Sequence, residues 1–183
     1  MTSVIKVDNI QSSGGTAALS IDSSGRVDMN ASYVFDQWYL NANHTTDGDS
    51  DITAWSQATA TFSGIGKVSG MSHSSGIFTF PQTGLYKVTG NFLQRDDGND
   101  NFAPRISVTI DNSTYTDVAA LISGSSGDVN GGSVSCSVFV NVTDTTNVKV
   151  KFRAASMDAN SYIWGGTAEI RTNVIFERVA PSQ

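Results

Sequence analysis

The sequence predicts an all-β protein, and three observations carry that prediction. Apolar residues alternate with polar ones over short runs, turn-forming clusters separate the runs, and the apolar repeat of an amphipathic helix is nearly absent. One dry face and one wet face is the signature of antiparallel strands. From Tyr33 to Val179 the runs number about ten, at the short, even spacing of a sandwich or barrel.

The densest stretch is GIFTFPQTGLYKVTGNF, residues 76–92. Phe78 and Phe80 precede Pro81 and Gly84, and Tyr86, Val88 and Phe92 follow them. Pro and Gly punctuate extended chain, so the stretch reads as strand, corner, strand. Its aromatics are expected to be structural, each contributing about 1.5–3 kcal/mol on burial. Further on, RISVTID aims Ile106, Val108 and Ile110 inward. SVSCSVFVNV places Val134, Cys136, Val138, Val140 and Val142 on one face, with mostly serines on the other. NVKVKFRA aims Val148, Val150 and Phe152 inward and Lys149, Lys151 and Arg153 outward. EIRTNVIFERV sets Ile170, Val174 and Phe176 opposite Arg171, Asn173 and Glu177, with Ile175 breaking the pattern. The segments DDGNDN, DNST, SGSSGDVNGG and TDTTN between these runs are turn chemistry.

Residues 1–32 differ from 33–183. VIKVDNI and AALSIDSSGRVDM are two brief alternating segments joined by QSSGGT. They hold too little apolar area to fold alone, because small isolated hairpins are marginal in water. A Gly/Ser-rich junction followed by a separate core reads as an attachment or oligomerisation segment.

Eleven basic residues against seventeen acidic ones give a net charge of −6, which argues against a phosphate-backbone partner. No stretch approaches the ~20 apolar residues that would span a bilayer, so no membrane insertion is expected. The single cysteine, Cys136, alternates with valines and reads as a small buried hydrophobe.

Chemistry-bearing residues are sparse. His44 and His73 are the only histidines, and GMSHSSG around His73 is not a nucleophile elbow, so no enzyme is expected. TTDGDSD supplies Asp47, Asp49 and Asp51 at alternate positions, a weak calcium candidate without the spacing of an EF-hand. RDDGNDN supplies Asp96, Asp97 and Asp100. Trp55, Tyr162 and Trp164 sit among turn residues, where aromatics suit sugar stacking or cap the ends of a sandwich. Trp55, Asp96, Asp97, Asp100, Tyr162 and Trp164 are therefore the receptor-contact candidates.

From Tyr33 onward the order of strands resembles the globular heads of complement-type proteins and of the tumour necrosis factor superfamily. The resemblance rests on a Gly-x-Phe-Thr strand, a Pro and a Gly-x-Tyr strand at 76–92, followed by RISVTIDN, GGSVSCSVFVNVTDTTNVKVKF and GTAEIRTNVIFERV. It implies an antiparallel jelly roll that forms homotrimers. In GLYKVTGN it would turn Leu85, Lys87, Thr89 and Asn91 toward the three-fold axis, and it keeps calcium near the apex in play. The N-terminal text IKVDNIQSSGGTAALSIDSSGRVDM is similar to segments of bacteriophage fibres and other virion structural proteins. Together the two resemblances imply a non-enzymatic virion protein, held to other virion proteins through residues 1–32, whose trimeric head attaches to the host surface, for instance to a cell-surface glycan. The alternatives are a capsid-decorating or head-fibre protein without a receptor, and a free carbohydrate-binding or adhesive module.

Overall fold

A computed structural model describes residues 9–11, 13–15, 17–21, 23–25, 27–28, 33–96, 103–122 and 130–183. The chain divides into two compact units, Met1–Tyr33 and Val34–Gln183. The first unit is a three-stranded antiparallel meander of β1 (Asn9–Gln11), β2 (Ala17–Ile21) and β3 (Val27–Asp28). Its two turns carry Gly15 and Gly25 at φ of 80° and 77°, a region glycine enters without steric cost.

The second unit contains β4 (Phe35–Leu40), β5 (Gly48–Asp51), β6 (Trp55–Gln57), the one-turn helix α1 (Ala58–Thr61), β7 (Ser72–Ser74) and β8 (Ile77–Thr79). After these come β9 (Gly84–Asp96), β10 (Ala103–Thr109), β11 (Thr116–Ala120), β12 (Asn130–Val142), β13 (Lys149–Met157), β14 (Tyr162–Ile163) and β15 (Asn173–Ala180). They form two six-stranded sheets. One runs β12-β9-β15-β4-β6, with β14 beside the end of β9; the other runs β11-β10-β13-β8-β7, with β5 beside β13. Every pairing between these strands is antiparallel. The fold is an antiparallel jelly-roll sandwich, and short pieces such as β6, β7 and β14 bring its strand number above the expected ten.

The corner at 76–92 does what its composition implies. Phe78, Phe80, Tyr86, Val88 and Phe92 are each at most 1% exposed. Phe78 meets Phe152 edge-on at 5.7 Å and Phe176 at 5.0 Å, so it joins strands of both sheets, and Phe80 lies 4.6 Å from the Tyr86 ring. Tyr86 also donates its hydroxyl to the Gln82 carbonyl at 2.9 Å, closing the corner. Gly90 leaves room for Phe92, whose ring would lie 2.5 Å from a Cβ there.

Two expectations fail locally. Ile110 does not point inward: it is 79% exposed, because β10 stops at Thr109. The next residue, Asp111, makes a turn instead, accepting the amide hydrogens of Ser113 and Thr114. Ile170 precedes β15 and is only half-buried, so the inward row of that strand is Val174 and Phe176.

The sandwich also buries one carboxylate that the sequence pattern did not single out. Asp36 is fully buried and accepts hydrogen bonds from Trp38 Nε1 at 2.8 Å, from Gln57 Nε2 at 3.0 Å and from the Met71 amide at 2.8 Å. A buried carboxylate with this many donors is satisfied, and it ties β6 and the strand-free approach to β7 onto β4.

Candidate functional site

The surfaces open to partners are the outer faces of the two sheets and the sandwich edge between β11 and β12. Along the outer face of the first sheet, register aligns Ser135, Asn91 and Asn173 in one row, ending at Tyr39 buried against Phe62, and Ser137, Thr89, Ile175 and Gln37 in the next. The third row is Phe139, Lys87, Glu177 and Phe35. Hydroxyls and amides bond across the strands: Thr89 Oγ1 to Ser137 Oγ at 2.7 Å, Ser135 Oγ to Asn91 Oδ1 at 2.6 Å, and Asn91 Nδ2 to Asn173 Oδ1 at 3.0 Å. The axis candidates Leu85, Lys87, Thr89 and Asn91 all lie on this face and are half-buried. Phe139 is 66% exposed at the end of the face where Lys87 pairs loosely with Glu177 at 3.7 Å.

Phe139 also faces the sandwich edge. There a groove of about 440 Å³ is lined by Val108, Ile110, Val118, Val138, Phe139 and Val148. Ile110 and Val118 are exposed as well, so the edge presents a continuous apolar surface.

The outer face of the second sheet is chemically different. Arg153 bonds Asp51 at 3.1 Å and Asp117 at 3.5 Å, Lys151 bonds Asp51 at 2.9 Å, and Arg105 bonds Asp117 at 2.7 Å. The Lys151 ammonium also sits 4.4 Å from the Tyr115 ring. Burial pushes Asp117 up, but hydrogen bonds from Ser107 and Arg105 and the charge of Arg153 more than offset it and hold the carboxyl below its ordinary range.

This network absorbs two of the three calcium candidates. Both oxygens of Asp51 face cations, and Asp49 accepts the Ser156 amide hydrogen at 2.8 Å. Asp47 is exposed, and among the described residues no three acidic, His or Cys side chains gather as a metal site.

The receptor candidates separate. Trp55 is 5% exposed, donates Nε1 to the Ile52 carbonyl at 2.8 Å and packs against Phe78 and Phe152, so it caps the core and is not a surface contact. Asp96 ends β9 at 2% exposure and is likewise withdrawn from the surface. Asp97 and Asp100 lie outside the described residues. Tyr162 and Trp164 are half-exposed and meet edge-on at 5.7 Å. Sequence reading missed their companions: the Arg95 guanidinium lies 5.3 Å from the Tyr162 ring, and that of Arg171 lies 5.0 Å from the Trp164 ring. Arg95 belongs to the outward alternation of β9, but only the pairing of β14 with β9 shows which ring it meets.

The histidines are structural in their surroundings. His44 Nε2 bonds Ser50 Oγ at 2.9 Å, and a backbone bridge joins His44 to Ile163. Its ring is kept below the ordinary histidine pKa by burial, against the pull of Asp51. His73 Nε2 accepts the Gly76 amide hydrogen at 3.0 Å while its ring lies 4.7 Å from Phe78.

No family model matches the sequence, and no curated protein matches it. Solved structures do. The Eiger TNF of S. frugiperda superposes with a TM-score of 0.65 at 12% identity, over 82% of this chain and 95% of that one. Murine APRIL at pH 5.0 gives 0.60 at 11% identity, and at pH 8.0 it gives 0.59 at 10%, each over 81% of this chain and all of the other. At such identities the likeness is one of fold: the sandwich is a jelly roll of the kind seen in these tumour necrosis factor domains.

Proposed function

We propose that the protein is a non-enzymatic, homotrimeric structural protein of a bacteriophage virion, with residues 1–32 fixing it to the particle and the jelly-roll head exposed for attachment to a host. One observation carries the self-association. A jelly roll that leaves Phe139, Ile110 and Val118 bare along one edge, next to a sheet face of hydroxyls and amides with a single Lys87–Glu177 ion pair, presents the apolar surface that a second copy would cover. The Thr89–Ser137 and Asn91–Ser135 pairs make the adjoining face wetter than most obligate interfaces. The similarity of the likeness to tumour necrosis factor domains supports the same assembly, and the particle context rests on the fibre-like N-terminal text.

Two measurements test the two parts. Light scattering of the purified chain is expected to give about three times the 19.4 kDa chain mass, and a monodisperse monomer at micromolar concentration would remove the trimer. Mass spectrometry of purified virions is expected to find the chain, and a form lacking residues 1–32 is expected to be missing from them while its head still unfolds cooperatively. Presence of the chain in wild-type particles, with normal adsorption by particles that lack it, would turn the reading to capsid decoration.

A further inference from the structure

We propose that Arg95, Tyr162, Trp164 and Arg171 form a binding strip for an acidic saccharide, one whose sugar rings carry carboxylates. The inference deepens the attachment reading and takes only its biological setting from it.

The strip is built by a local feature of the fold. β15 begins at Asn173 opposite Asn91, so the last residues of β9 have no β15 partner, and β14 occupies that position by pairing Tyr162 with Arg95 and Ile163 with Gln94. Ile163 and Gln94 are fully buried, which leaves Tyr162 and Arg95 on the outer face. The Trp164 amide then donates to the Leu93 carbonyl at 2.8 Å and keeps the tryptophan in the same line. The result is an alternation of cation, ring, ring and cation.

Beside it is an open groove of about 460 Å³ between residues of β9, β12 and the segment 169–171, its polar lining made by Asn91, Ser133, Ser135, Glu169 and Arg171. Arg171 is shared between strip and groove. Asn91 and Ser135 at the near side of the groove belong to the face offered to a second copy, whereas Arg95 lies eight residues, about 26 Å, along β9 from Lys87 and the Phe139 end, so the strip itself is a separate surface.

The charges point to the ligand class. The chain is acidic overall, at −6, yet the strip holds two guanidinium groups. Among the described residues Arg95 has no carboxylate partner, only the Tyr162 ring. Arg171 gives its Nε to Glu169 at 2.8 Å, and that carboxylate is 64% exposed, so solvent weakens the pair. A guanidinium offers a planar fork to a carboxylate. The rings offer apolar faces to sugar C–H groups, and serine and asparagine side chains offer partners for sugar hydroxyls. An acidic peptide would use the arginines but brings no ring hydroxyls to meet Ser133, Ser135 and Asn91.

Calorimetry on the purified full-length chain distinguishes these. The probe is a galacturonate tetramer, with maltotetraose as the neutral match and a short polyglutamate peptide as the anionic match. The uronate is expected to bind at least about tenfold more tightly than either control. Arg95→Gln, Arg171→Gln and Trp164→Ala are each expected to weaken it about tenfold, with melting temperature and mass unchanged, and Arg171→Lys to retain part of the affinity. Because among the described residues the Arg95 side chain meets the Tyr162 ring and no carboxylate, Arg95→Gln keeps the test sound if a change at Arg171 or Trp164 disturbs folding. Equal binding of the neutral sugar, equal or tighter binding of polyglutamate, absence of uronate binding up to about 10 mM, or unchanged affinity in Arg95→Gln would each overturn the proposal. None of these results depends on whether the chain is found in virions, so the site and the particle reading fail separately.

Discussion

The two sheets share one core but turn opposite chemistries outward. Over β10, β13 and β5 the outer face carries a circuit of Arg105, Arg153 and Lys151 with Asp51 and Asp117, beside which Lys149 bonds the Thr79 hydroxyl and the Thr145 carbonyl. Over β12, β9 and β15 the outer face is mostly hydroxyls and amides bonded to each other, and it ends in bare Phe139. Charged groups lose strong hydration on burial, and such pairs repay that loss only with near-ideal geometry. Neutral hydroxyl ladders and a phenylalanine lose far less. The difference therefore assigns the faces: the ionic one suits water, the neutral one suits another protein surface.

The sharpest way to break that comparison is to put a charge on the neutral face. Thr89→Arg is expected to abolish trimers, read as a fall to one chain mass by light scattering, because three guanidinium groups would be brought together where each copy offers only Glu177, already opposite Lys87. Lys151→Gln on the ionic face is expected to leave the mass unchanged. If both variants stay trimeric, the neutral face is not the interface. Next in size is the core that both faces depend on. Phe78→Ala removes a fully buried ring that touches Phe152 and Phe176 on opposite sheets, and is expected to cost about 3–5 kcal/mol in denaturant unfolding. A loss under about 1 kcal/mol would mean that the sheets are not joined through this ring.

Much of this contrast was legible in the sequence. Alternation alone identified the serine face of β12 and the cationic face of β13, because a period of two needs no tertiary information. The aromatic corner was legible for the same reason, with Pro81 and Gly84 marking its break. What alternation cannot supply is the neighbour across the sheet. Asp49 and Asp51 read as calcium ligands until β5 is placed beside β13, where Arg153 and Lys151 meet them. Trp55 read as a loop aromatic because its flanks are polar, yet a three-residue strand is enough to carry it into the core. Arg95 and Arg171 were invisible as a pair, since both rings come from one segment, 162–164, about seventy residues beyond β9, and only the pairing of β14 with β9 brings Arg95 to it.

A smaller effect sharpens the ionic side. Arg153 is the hub of its circuit, touching Asp51 and Asp117 from a side chain 25% exposed. Arg153→Met keeps much of the packing of the stem but leaves two carboxylates with fewer partners. The expected loss is about 1 kcal/mol, shrinking as salt is raised, with the trimer intact. An effect insensitive to salt would place the contribution of Arg153 in packing, and the circuit would then say nothing about which face prefers water.

The smallest expected effect is a dependence on pH, and it separates the faces again. His44 and His73 are both held below the ordinary histidine value, first by burial, with Asp51 partly opposing it at His44. The folded state therefore binds fewer protons than the unfolded one, so their contribution is complete above about pH 6.5 and is lost as pH falls toward the folded values. His73 has a further reason to stay neutral, since its Nε2 accepts the Gly76 amide hydrogen and a proton there would remove the acceptor. Asp117, held low on the ionic face, adds a second decline only at more acidic pH, below about 4. The hydroxyl and amide pairs of the neutral face carry no titrating group. Melting temperature is thus expected to be level above about pH 7, to fall modestly as pH drops below about 6.5, and to fall again once it drops below about 4. In the His44→Gln, His73→Gln double variant the first step should flatten while the second persists. If the first step survives unchanged, the mid-range loss belongs to groups other than the histidines, and the bridge from His44 to Ile163 does not couple protonation to the segment that carries Tyr162 and Trp164.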